Sequence, residues 1–325
     1  MHEQGSHPKD GHPSDANHGR AAHWRSVGSL LAATIRTSLA AAEASLESLG
    51  TAAARREAVR TARRELKAVR ALAPLCRGGT NDGPIDGLAE FGAKANQLLG
   101  PLRDRDALTR SIHRIADRFA DGATRRIVRT VLLATLVLGE SDRRDDSAFA
   151  DATIGRARRA LRAARACALR LDGDRFDPAH ATALLSRTHR ECARELDAAL
   201  RHGDLARLHE CRKKASFLAL ALRPFEDDVP SALRRLRGRA KRLASALGED
   251  RDLALLDVEM AAAREQLDGS PLAAAIDDAL RLARLESGAR VEDAAASFLR
   301  VRRGRARRAL ATVLSGDADT DTDGD

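Results

Sequence analysis

An all-α fold is expected from this chain, on three observations. Apolar residues recur at intervals of three and four and nowhere alternate by two, which is the period of a helix and not of a strand. Ala, Leu, Arg and Glu, all strong helix formers, dominate between the two ends. Gly and Pro gather at breaks: Gly50, GGTNDGP at 78–84, Gly122, Gly139, DGD at 172–174, Gly203, DDVP at 227–230, Gly269 and Gly288. These breaks leave roughly ten helical segments, about five on each side of residue 173.

Residues 1–20 are polar, with His2, His7, His12 and His18 among Gly and Pro. They read as a disordered tail. Metal binding by the histidines is the alternative, but no secondary structure sets their spacing. The helical segments then follow at 22–48, 52–75, 85–120, 123–138 and 145–170. A second series follows at 177–202, 204–222, 231–267, 271–286 and 290–313, and the two series match in order. GRARRAL occurs at 155–161 and again at 304–310, an offset of 149. LLGPLRDRDAL at 98–108 finds its partner in ALGEDRDLALL at 246–256, which aligns Gly100, Arg103 and Asp104 with Gly248, Arg251 and Asp252 at an offset of 148. Two independent motifs at nearly one offset indicate a tandem duplication of a helical unit. Short connections and single apolar stripes imply two bundles of long antiparallel helices. The expected organisation is a domain over 21–314, with halves at 21–172 and 175–314. Residues 315–325 form an acidic tail expected to be disordered.

The 325 residues suffice for a sizeable core. The net charge is +9, and five Asp lie in the last eleven residues, so the rest of the chain is five units more positive still. Such an excess implies an anionic partner without choosing among nucleic acid, membrane and small polyanions. No apolar stretch reaches the ~18 residues of a membrane span, and no signal-peptide core opens the chain. A cytoplasmic protein is expected. Cys76, Cys167, Cys192 and Cys211 have no CxxC spacing, so they read as small buried apolar residues and not as a zinc site or disulfide frame. No cofactor and no metal are expected.

The second segment reads REAVRTARRELKAVRALAPL. At about 100° per residue, Arg60, Arg63, Lys67 and Arg70 fall within an arc of roughly 80° and form a stripe about 15 Å long. Val59, Ala62, Leu66 and Val69 point elsewhere and can face a core. Like charges at these spacings repel by a few tenths of a kcal/mol per pair, so the stripe calls for counter-ions or acidic neighbours. In the matching LARLHECRKKASFLALAL, His209 aligns with Arg60 and Arg212 with Arg63, and Lys213 adjoins them. Ser216 and Ala219 stand where the first half has Lys67 and Arg70, so this stripe is shorter. Arg234, Arg237 and Lys241, again at three and four, can restore some of the charge.

The pattern H-x-x-R-x-x-x-[KR]-x-x-R in a long-helix unit, followed by L-G-x-x-R-D and given twice, resembles the conserved histidine α-helical domain, the CHAD family. The second half supplies H-x-x-R at His209 and Arg212. Both halves keep L-G-x-x-R-D, with its Arg at Arg103 and Arg251. The first half departs by placing Arg60 where the family has His. The resemblance covers about residues 22–313. It implies two helical halves about a pseudo-two-fold axis, with basic residues facing a shared groove or pore. It also implies binding of inorganic polyphosphate, a place at polyphosphate granules, and no catalytic role.

The residues are compatible with that partner. A phosphate polymer has no base to stack or read and needs a track of Arg and Lys donors. His209 beside Arg212 and Lys213 is expected to resist protonation until an anion binds. The plain alternative for each stripe is a solvated helix face, and for His209 a core histidine. Asp104, Asp106 and Asp252 read either as metal ligands or general bases, or as carboxylates that orient neighbouring Arg. Arg156, Arg159, Arg305 and Arg308 of the repeated heptad read as outer surface. Nucleic-acid binding is the competing function, but aromatic residues make up only 2%, which leaves few stacking platforms and only non-specific contact. A phosphohydrolase is a third reading, with no E-x-E-x-K element to support it.

Overall fold

The computed structural model describes residues 13–47, 50–78, 82–139, 147–225, 230–260 and 270–315. These residues form eleven α-helices and three short 3-10 turns, and no strand is present among them. The first half holds α1 (Pro13–Ser45), α2 (Ala52–Leu72), α3 (Gly83–Leu98), α4 (Gly100–Ala116), α5 (Gly122–Gly139) and α6 (Ser147–Leu169). The second holds α7 (Pro178–His202), α8 (Leu205–Ala221), α9 (Ser231–Glu259), α10 (Pro271–Leu299) and α11 (Arg303–Ser315).

Three boundaries differ from the sequence reading. The first helix starts at Pro13, inside the stretch assigned to a tail. Proline suits a first helical turn, and between Ser14 and Ala22 only Gly19 opposes a helix. His18 is thus helical, while His2, His7 and His12 lie outside the described residues, as does the acidic run 316–325. The single segment expected at 85–120 is broken at Leu99 into α3 and α4. Pro101 lacks the N–H that would continue the ladder, whereas Glu249 stands at the matching place in α9, which runs on through Gly248. The break expected at Gly288 does not occur: α10 runs through it and ends at Leu299, with a turn at Arg300–Arg302 that no Gly or Pro marks.

Helix α1 packs along α2 and α6, α3 along α6, α7 along α8 and α11, and α9 along α8 and α10. The larger core draws Leu31, Ile35 and Leu39 of α1, Leu66 of α2, Leu88 of α3 and Leu161 of α6 together with Leu185 of α7, Leu218 of α8 and Phe298 of α10. A smaller core joins Ile112 and Ile115 of α4 and Val128 and Leu132 of α5 to Leu253 and Leu256 of α9 and Ile276 and Leu280 of α10. Both cores therefore take side chains from both halves. The linker between the halves is clamped by close backbone approach. A Cβ on Gly28 of α1 would lie 2.0 Å from the carbonyl oxygen of Gly173, and one on Gly78 would lie 2.3 Å from that of Arg175. His180 Nε2 meets the carbonyl of Pro74 at 3.1 Å, a further tie between the halves.

All four cysteines are free thiols, with Cys192 and Cys211 fully buried and Cys76 and Cys167 half-buried. Sγ of Cys192 and Sγ of Cys211 lie 3.4 Å apart where α7 meets α8. Arg156, Arg159, Arg305 and Arg308 are exposed, as the repeated heptad suggested. Among the described residues no helix is long and apolar enough to cross a membrane.

Candidate functional site

The basic face of α2 is positioned by its apolar one. The helix is capped by Thr51, whose hydroxyl accepts from the Ala54 N–H at 3.1 Å. Val59, Ala62, Leu66 and Val69 are buried in the core, which leaves Arg60, Arg63 and Lys67 turned towards α4, α8 and α9. Helix α8 begins on the Asp204 cap and buries Cys211, Ala215 and Leu218, so Arg212 and Ser216 face the same space. The result is an open groove of about 690 Å3 between α2, α4, α8 and α9. Nine of its lining residues are Lys or Arg and only two, Glu249 and Asp252, are acidic.

The sequence-derived residues that line it are Arg60, Arg63, Lys67, Arg103, Arg212 and Lys241. Arg103 of α4 reaches Asp252 of α9 at 3.3 Å and its neighbour Asp104 at 3.0 Å. Arg60 pairs with Glu57 at 2.5 Å and with Asp106 at 3.2 Å, and Asp106 also takes Arg110. The three aspartates thus act as the ion-pair reading had it, holding guanidinium groups in place. Among the described residues no three His, Cys, Asp or Glu converge as a metal site.

Arg63, Lys67 and Arg212 are placed differently. Each is half-buried, and none makes an ion pair among the described residues. Arg63 Nη1 donates to the carbonyl of Asn96 on α3, yet its Nε is buried without an acceptor. The Nε of Arg212 is likewise buried and unmatched. Burial lowers the pKa of Arg63, opposed by Asp104 and helped by Arg103 and Arg70. Burial likewise lowers that of Arg212, with Arg251 and Arg103 adding to the effect. Lys67 is pushed down to about 8 by burial first, then by Arg63, Arg103 and Arg212, with Asp252 as the opposing charge. These cations crowd one another in a partly dry space, where each raises the cost of charging the next.

Other expected residues lie beside the groove and not in its lining. Arg70 is exposed on α2 and acts on Arg63 through its charge. His209 and Arg251 flank Arg212: the pKa of His209 is lowered by burial, then by Lys213, Arg212 and Arg251, in the direction expected for its neutral form. Lys213 is turned out and paired with Glu210 at 2.7 Å. Arg234 and Arg237 correct the expectation for α9. They share an angular sector with Lys241, but they precede it by seven and four residues, about 10 and 6 Å along the axis. Arg234 is exposed short of the groove, and Arg237 Nε donates to the carbonyl of Ala219 at 3.3 Å.

Four lining residues escaped the sequence reading: Arg64 on α2 and Arg110, His113 and Arg114 on α4. The signal was present in α4, where Arg103, Arg110 and Arg114 are spaced seven and four and share one helix face.

No curated protein and no solved structure matches this chain. The family model of the CHAD domain matches residues 31–261, which take in α2, α4, α8 and the groove-lining part of α9. With that span covering most of the chain and the whole of the groove, the protein belongs to the CHAD domain family.

Proposed function

We propose that the groove between α2, α4, α8 and α9 binds inorganic polyphosphate, and that the protein holds this polymer without cleaving it. The observation that carries the reading is the meeting of Arg63, Lys67 and Arg212, half-buried, unpaired, and with two buried guanidinium Nε donors unmatched. Desolvated cations without carboxylate partners are costly unless an anion completes them. A phosphate chain supplies closely spaced oxygens, and Arg matches them in two-pronged fashion. In this reading α2 and α8 are equivalent walls of two related halves, and the ion-paired Arg60 and Arg103 hold the rim in shape. Nothing in the groove offers an aromatic platform, which favours a bare phosphate polymer over single-stranded nucleic acid. Association with polyphosphate granules in the cytoplasm follows as the expected cellular setting.

The test is a binding titration against polyphosphates of several lengths at two salt concentrations, with DNA of equal phosphate content as competitor. Affinity is expected to fall with salt through counter-ion release. Arg63→Glu combined with Arg212→Glu is expected to preserve helix content by circular dichroism. It should weaken binding by about two orders of magnitude or more, since each charge-assisted contact is worth roughly 1.5–3 kcal/mol. Undiminished binding by that variant moves the site elsewhere. Equal competition by DNA replaces polyphosphate specificity with general polyanion binding. Magnesium-dependent phosphate release that Asp104→Asn or Asp252→Asn abolishes would make the protein an enzyme.

A further inference from the structure

A second groove, of about 650 Å3, runs between the N-terminal half of α7 and α11, and it shares no lining residue with the first. Its floor is made of short side chains, Ala179, Thr182, Ala183, Ser186 and Ala311. Its rim carries Arg187, Arg190 and Arg307, all exposed and none ion-paired among the described residues. Elsewhere on α7 the arginines are matched, Arg194 with Glu195 at 3.3 Å and Arg201 with Asp197 at 2.7 Å. The one acid in the lining, Asp177, is engaged in capping α7, where it accepts from the Ala179 N–H at 2.8 Å.

Ser315, the last described residue, itself lines this groove, and the chain continues from it as GDADTDTDGD. Asp317, Asp319, Asp321 and Asp323 alternate with Ala318, Thr320 and Thr322. In an extended chain this pattern puts the carboxylates on one face and the small residues on the other. From Asp317 to Asp323 the extended length is about 20 Å. The groove-lining stretch of α7, Pro178 to Arg190, is about 18 Å long.

We propose that residues 316–325 dock in the α7–α11 groove. The small face lies on its alanine, serine and threonine floor, and the aspartates are held by Arg187, Arg190 and Arg307. Three features select this occupant: the chain enters the groove at Ser315, the charges are opposite, and the lengths agree. The contact is made of exposed charge pairs, so salt weakens it. It is independent of the polyphosphate reading, because either groove can be occupied or empty without the other.

The test is disulfide trapping in the full chain. Thr320→Cys is combined with Ala183→Cys on the groove floor, and a parallel protein carries Thr320→Cys with Ser216→Cys in the α2–α8 groove. Mild oxidation at low salt, followed by peptide mapping, reads which thiols have joined within one chain. Trapping is expected for the Ala183 pair. It should slow about tenfold when Arg187→Glu, Arg190→Glu and Arg307→Glu are added, because the tail then loses its local concentration over the floor. The three arginines are exposed, and an unchanged melting curve shows the reversals leave the fold intact. Equal trapping with and without the charge reversals overturns the proposal. So does faster trapping at Ser216, or a bond formed only between two chains.

Discussion

Lys67 is the residue on which the character of the groove depends most. In the free protein its proton is lost as pH rises through about 8, whereas the unfolded chain keeps it to about 10.5. Between those values the unfolded state binds more protons, so this residue makes the unliganded fold more stable as pH rises across that window. A bound phosphate chain favours the charged form. Binding above pH 8 therefore draws in a proton, and affinity should fall as pH climbs from 8 towards 10. Calorimetric titrations in buffers of different ionisation enthalpy read that uptake directly, and Lys67→Met is expected to abolish it. An unchanged pH slope in the variant assigns the proton to another group. His189 gives the opposite end of the scale. It is buried edge-on against Phe298, ring centroids 5.3 Å apart, and burial with the nearby Arg303 charge lowers its pKa to about 4. The unfolded chain takes up that proton near pH 6.5, so stability is lost as pH falls from 6.5 towards 4. His189→Leu should flatten that part of a plot of melting temperature against pH; an unaltered curve shifts the acid sensitivity to the carboxylates.

At the scale of elements, the helices that position the groove were legible because their signals are local. The apolar stripe of α2 sets its buried face, and the same spacing predicts the opposite basic arc that the structure turns towards α8. What stayed hidden depends on partners distant in sequence. Lys241 lines the groove and Arg234 does not, although both sit on one face of α9, because the neighbours of α9 change along its length. The turn at 300–302 has no Gly or Pro to announce it; burial of Phe298 on one side and of Ala306 and Leu310 on the other sets it. The contact of Gly28 with the inter-half linker was equally invisible, since nothing in sequence tells a close-approach glycine from an incidental one. There a methyl group meets the Gly173 carbonyl oxygen and, at 2.7 Å, the Phe176 Cβ. Gly28→Ala is therefore expected to destabilise by about 1–3 kcal/mol through forced separation of α1 from the linker. Thermal denaturation should show this as a melting point lower by a few degrees. Gly50, around which an added Cβ meets nothing within 4 Å, is the matched control. Equal melting of the two alanine variants removes the clamp.

For the molecule as a whole, the duplicated sequence suggests two bundles that could stand alone, but the packing argues for one cooperative unit. The larger core sets α1, α2, α3 and α6 against α7, α8 and α10, and the smaller one closes α4 and α5 on the far ends of α9 and α10. Cutting the chain at residue 173 would expose the apolar faces that α2 and α8 turn to each other, as well as the α4 and α5 surface now covered by Leu253, Leu256 and Leu280. Each buried Leu lost to water costs about 1.5–3 kcal/mol, and a handful of them equals the whole stability of an ordinary domain, about 5–15 kcal/mol. Residues 21–172 and 175–314 produced separately are therefore expected to show reduced helix content and no cooperative thermal transition. Mixing them should restore both, with a midpoint that rises with concentration. The basic groove is then a property of the assembled pair, because Arg63, Lys67 and Arg103 come from one fragment and Arg212, Lys241 and Asp252 from the other. Polyphosphate should consequently favour the reassociated complex and raise its midpoint further. Two fragments that each melt cooperatively, and that each bind the polymer as tightly as the whole chain, would mean that the shared groove is not the binding unit.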